Sequence, residues 1–133
     1  MSDNQTTFED LLIDEEEVSE TLLSETLIEY IRIGDESGSI VPQDAYEDLT
    51  NREKVVVILL AQHALEGLDM ADEQWLTPSQ IAERSGIKKG SVYPAVRELD
   101  DADIVENDDG SYRIPTHSLE TAKRHLEPQE AEA

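Results

Sequence analysis

The chain has 133 residues, 32 of them acidic against 10 basic, for a formal charge of -22, and it contains no cysteine. Its length supports one core rather than several, and the absence of cysteine excludes disulfides and thiolate metal sites, which fits a cytoplasmic protein. No basic stretch leads into a hydrophobic one at the N-terminus, and the longest apolar run, residues 55–61, is far too short to cross a bilayer, so no membrane segment is expected.

Residues 1–15 are acidic and polar, with Phe8, Leu11 and Leu12 as the available anchors, and are expected to be disordered. From Val18 onward, Val18, Leu22, Leu23, Leu27, Tyr30 and Ile31 recur at helical spacing and predict an amphipathic helix whose stripe needs a partner. Two β-branched runs, residues 31–33 and 39–41, stand around Gly34 and Gly38 and suggest a small hairpin. Residues 16–49 therefore read as a helical and hairpin extension ahead of a domain spanning residues 50–126.

Thr50 and Glu53 make a capping-box pattern at the head of "NREKVVVILLAQHALEGL". Periodicity alone does not separate strand from helix in "VVVILLA", but the cap and the continuation through Ala64, Leu65 and Leu68 favour a helix. Apolar around most of its girth, it must be covered on several sides: by the helix from Val18, and by the part after Thr77 or a second subunit. In "LTPSQIAERSG", Thr77 reads as N-cap, Pro78 as the first helical residue, Gln80 as the other half of the box and Gly86 as the stop.

In "SVYPAVRELDD", Val92, Ala95, Val96 and Leu99 share one face of a longer helix, with Tyr93, Pro94, Arg97 and Asp101 on the other. A start near Gly90 or Ser91 would leave Pro94 in the first turn, where its missing N–H is harmless, and would put Lys88 and Lys89 at the end that attracts phosphate. Asp109-Gly110 is a strong hairpin signal; it pairs Asp108 with Ser111, Asn107 with Tyr112, Glu106 with Arg113 and Val105 with Ile114. A last weak stripe, Leu119, Ala122 and Leu126, precedes an expected disordered tail at residues 127–133. The order helix, short helix, turn, longer helix, hairpin makes the fold class mainly α with a small β-hairpin: a winged helix-turn-helix plus an N-terminal helical extension.

"TPSQIAERSGIKKGSVYPAVRELDDADIVENDDGSYRIP", residues 77–115, resembles the DNA-binding region of PadR-like and MarR-like transcriptional regulators, the former through "KKGSVYPAVREL" and the following "DIVE". The resemblance covers roughly a third of the chain. It implies that Lys88, Lys89, Ser91, Tyr93 and Arg97 meet the major groove or its flanking phosphates. Arg113, on the wing, is a further DNA-contact candidate, with Glu106 opposite as its structural alternative. Asp108 and Asp109 depart from the pattern, because a wing tip carrying them would repel phosphate.

Acidic residues occur in every segment and lysine is scarce, which resembles the proteins of extreme halophiles. Salt near 1 M shortens the Debye length to about 3 Å and would screen the self-repulsion. An acidic tail for a basic partner, or a mimic of DNA, fits less well because the acid is not confined to one block. Residues 1–83 hold 21 acids and 3 bases, whereas residues 84–133 hold 11 and 7, so positive charge gathers where the resemblance lies. His63, His117 and His125 lack metal-ligand spacing, His63 reads as a satisfied core residue, and no nucleophile-base pair stands out, so neither enzyme activity nor a metal or cofactor is expected. The expected function is a sequence-specific, double-stranded-DNA-binding regulator that dimerises through residues 16–70. The alternative is a protein-interaction module that docks through its acidic surface or the helix at residues 55–68.

Overall fold

The computed structural model describes residues 6–126; the expectations for residues 1–5 and for the tail at 127–133 lie outside the described residues. In chain order the elements are α1 (Glu15–Leu27), β1 (Ile31–Ile33), β2 (Ile40–Pro42), α2 (Asp44–Glu47), α3 (Asn51–Gly67), α4 (Pro78–Ser85), α5 (Lys89–Asp101), β3 (Glu106–Asp108), β4 (Ser111–Arg113) and α6 (Leu119–Leu126). The protein is mainly helical, with a helical N-terminal region and small antiparallel hairpins. Among the described residues no helix is long and apolar enough to cross a membrane.

Thr50 sets the position of α3. Its Oγ1 accepts the Glu53 amide at 3.2 Å while the Glu53 carboxylate accepts the Thr50 amide at 2.9 Å, satisfying two orphan donors where the apolar run begins. Every residue from Val55 to His63 is buried, so α3 has no solvent side over this stretch. It is covered by α1, α4, α5, α6 and β4, and one continuous core runs from Leu23 through Tyr46 to Leu126.

The covering helix α1 starts at Glu15, three residues ahead of the apolar stripe, because the Asp14 carboxylate accepts the amides of Glu16 and Glu17 at 3.1 and 3.2 Å. The glutamates of that first turn then face the positive end of the helix. Leu23, Leu27 and Ile31 enter the core, whereas Val18 and Ile28 remain about half exposed. The expected hairpin forms with Ile31 opposite Pro42 and Ile33 opposite Ile40. Ahead of α1, a 3-10 turn at Phe8–Leu11 holds the expected anchors Phe8 and Leu11, with Leu12 directly after it, and all three are exposed to solvent.

The caps at Thr77, Pro78 and Gln80 form as the sequence predicts, and Gly86 ends α4 in the left-handed region at φ 80. Pro94 does not lie in the first turn of α5. The helix starts at Lys89, with Lys88 as N-cap, so Pro94 falls inside it. Ile87 is buried directly after the Gly86 turn, which brings the chain back to helical geometry earlier than the proline alone suggests. The Gly90 carbonyl consequently loses its helical donor, but Gly90 is exposed and water can serve it.

The wing has the predicted register, Glu106–Arg113, Asn107–Tyr112 and Asp108–Ser111, closed by Asp109 at φ 55 and Gly110 at φ 90, the two positive values of a type I′ turn. Val105 and Ile114 are buried below it. A third backbone segment joins it: Leu76 exchanges hydrogen bonds of 2.9 and 2.8 Å with Tyr112 and fastens the wing to the lead-in of α4. The stripe of α6 is spent within the chain, against α1 and α3.

Tyr46, on the short α2, is buried and its phenol donates to the Ser85 carbonyl at 2.8 Å, the last residue of α4. Burial, reinforced by the neighbouring Glu47, holds the phenol well above the usual tyrosine range. A raised pKa in the folded state means stability that is complete below the unfolded value of about 10 and is lost as pH rises beyond it. Tyr46→Phe should cost about 1–3 kcal/mol by leaving the Ser85 carbonyl unserved, and should flatten the alkaline decline; denaturant unfolding at pH 7 and above pH 10 measures both.

Candidate nucleic-acid interface

The elements that build this surface are α4, the Gly86 turn and α5, held from behind by α3. Val92, Ala95, Val96 and Leu99 are buried on the α3 and α4 side. At about 100° per residue, Lys89, Tyr93 and Arg97 fall on one arc of the opposite side, one helical turn apart each. Lys88, Lys89 and Arg97 are exposed and Tyr93 is 42% exposed, whereas Ser91, two residues from both Lys89 and Tyr93, is half-buried on the other flank of the helix. Asp100 and Asp101 end the same face, so its positive character is confined to the first two and a half turns.

The partners of the basic residues separate two groups. Arg52 reaches Glu98 at 3.5 Å, Lys54 lies 5.3 Å from the centre of the Tyr46 ring, Arg84 donates to the Gln62 side chain, and Arg32 donates to the carbonyls of Ile28 and Ile31. Arg113 has two partners, Glu106 at 2.8 Å and the Trp75 ring 4.6 Å from its guanidinium carbon. The side chains of Lys88, Lys89 and Arg97 have no partner among the described residues, and Arg97 makes no pair with Asp101 four residues on. Lys123 and Arg124 on α6 are likewise without one.

The backbone adds to this. Lys88 is extended at φ -64, ψ 143 and caps nothing with its side chain; its carbonyl takes the amides of Ser91 and Val92 at 2.9 and 3.2 Å. The amides of Lys89 and Gly90 have no acceptor among the described residues. Two free donors and the positive end of a helix dipole thus lie at the terminus that carries Lys88 and Lys89, a combination suited to a phosphate oxygen.

Four of the six sequence-chosen residues, Lys88, Lys89, Tyr93 and Arg97, lie along this side of α5 from its first residue onward, and Ser91 sits on the other flank of the helix. Arg113 does not join them; its charge is taken up on the wing. Trp75 was not singled out by sequence, since a lone tryptophan beside an acidic stretch carries no periodic pattern, and its role as a platform for Arg113 emerges only from the fold. The wing tip, Asp108 and Asp109, is exposed and acidic. His63 is buried and donates Nδ1–H to the Ile114 carbonyl at 2.9 Å, a packing role. Among the described residues no three histidines or carboxylates converge as a metal site. No protein-family model, curated protein or solved structure matches the chain.

The aim of α5 depends on the turn. Gly86 has open space where a Cβ would stand, so a substitution there meets only backbone strain. Gly86→Ala should cost about 1–2 kcal/mol from the left-handed backbone alone, read as a lowered denaturant midpoint with an unchanged slope.

Proposed function

We propose that the protein is a DNA-binding transcriptional regulator of the winged helix-turn-helix kind, reading double-stranded DNA with α5 and acting as a homodimer in a salt-rich cytoplasm. The observation that carries this reading is the charge segregation on α5. In a chain of net charge -22, three cations without protein partners stand on one exposed face beside unused helix-terminal amides. In this reading the lysines and amides hold phosphate, while Tyr93 and Arg97 reach base edges, Arg97 suiting the paired acceptors of a guanine. The likeness of residues 77–115 to PadR-like and MarR-like regulators supports the same assignment.

Arg113 has a structural part here, keeping the wing in register, and the acidic tip stays off the phosphates. In molar salt, counterion release supplies little driving force, so hydrogen bonds to base edges and close fit carry more of the affinity than at low salt. Two copies would set their α5 helices in successive major grooves about 34 Å apart. The interaction-module alternative keeps only the end of its helical surface, because residues 55–63 of α3 are buried inside the chain and exposure begins at the end of the helix with Gly67 and Leu68.

Retention of genomic fragments in molar potassium chloride tests the reading. Lys88→Glu combined with Lys89→Glu should weaken retention by more than about tenfold across all sequences, Arg97→Ala should relax the sequence preference, and Arg113→Ala should leave both unchanged. Undiminished retention by the double lysine variant would remove DNA from the assignment.

A further inference from the structure

Two features of the N-terminal half remain unused by the fold. The first is the segment ahead of α1: Phe8, Leu11, Leu12 and Ile13 are 90, 73, 76 and 67% exposed. Four large apolar side chains within six residues, all in water, are far from the scattered single exposures that need no explanation. The second is a groove of about 880 Å³ between α1 and the C-terminal end of α3. Its floor includes Leu23, Leu27, Ile31 and Ala64, and its lips include the half-exposed Ile28 and Leu68.

We infer that the arm formed by residues 7–13 of one copy seats its apolar residues in this groove on a second copy, and the second arm returns to the first. The arm does not occupy the groove of its own chain. Leu12 at φ -82, ψ 142 and Asp14 at φ -85, ψ 101 are extended and lead away from α1, and the Asp14 carboxylate is engaged in capping that helix. Folding back along α1 would require these extended residues to reverse direction.

Donor and acceptor surfaces on the same chain are self-complementary, which is the requirement of a closed two-fold dimer. Two arms and the two groove surfaces they cover remove on the order of 1,500 Å² from water, inside the range of about 1,200–2,000 Å² for stable interfaces. Charge gives the exchange a direction and a salt dependence. Arg32 lines the groove, is exposed and has no carboxylate partner among the described residues, so it offers Glu9 of the arm an ion pair. Glu15, Glu16, Glu20 and Glu66 along the groove repel the same arm until salt screens them. Association should therefore strengthen as salt rises.

The inference deepens the two-copy part of the regulator reading and does not depend on its DNA part. Sedimentation equilibrium of the full chain in molar potassium chloride tests it, with circular dichroism confirming the fold of each variant. The wild type should be a dimer. Phe8→Asp with Leu12→Asp in the arm, and separately Leu68→Glu on the groove lip, should each weaken self-association more than about tenfold. All three positions are exposed and leave the core intact. An equal mixture of the arm and lip variants should recover part of the association, because one arm and one groove remain whole. A monomeric wild type, or a dimer that persists in either variant, overturns the proposal. A dimer that holds no DNA would instead remove the regulator reading and leave the arm exchange standing.

Discussion

The burial of α3 on every side is the constraint from which the architecture follows. A helix without a solvent face over residues 55–63 cannot be shielded by one neighbour, since each packed helix covers only part of its girth. The chain brings α1 from the N-terminal side and α4, α5 and α6 from the C-terminal side. Burying each of Ile58, Leu59 and Leu60 contributes about 1.5–3 kcal/mol, a driving force set against the mutual repulsion of the surface carboxylates. The N-terminal region is thus a structural wall of the same core, and α5 owes its fixed position to the helix behind it.

Most of what sequence revealed rested on local chemistry. The boxes at Thr50–Glu53 and Thr77–Gln80, the left-handed stop at Gly86 and the turn at Asp109-Gly110 each involve residues within a few positions of one another, so their side-chain types identify them. The features that escaped are those whose partners are distant in the chain. Tyr46 meets Ser85, Leu76 meets Tyr112, Trp75 meets Arg113, and nothing local marks either member of these pairs. Asp14 escaped for another reason: in the run "DEEE" a capping carboxylate looks like any other acid. The start of α5 moved because Ile87 seeks the core, a tertiary preference that outweighed the local cue from Pro94.

The surface charge shows a division of labour. Arg52, Lys54, Arg84 and Arg113 each join one element to another, Arg52 from α3 to α5 and Arg113 across the wing to Trp75. The exposed ion pair of Arg52 with Glu98 contributes about 0–1 kcal/mol, so its value is more in orientation than in stability. Lys88, Lys89 and Arg97 are left out of this internal network. In so acidic a chain, carboxylates were available nearby, and the absence of a pair between Arg97 and Asp101 leaves that guanidinium ready for an outside acceptor.

The bond from Tyr46 to Ser85 has a mechanical consequence. It grips the residue just before the Gly86 turn, and Tyr46 itself follows directly from the β1–β2 hairpin through α2. The front half of the chain is therefore tied, by a bond across 39 sequence positions, to the turn from which α5 departs.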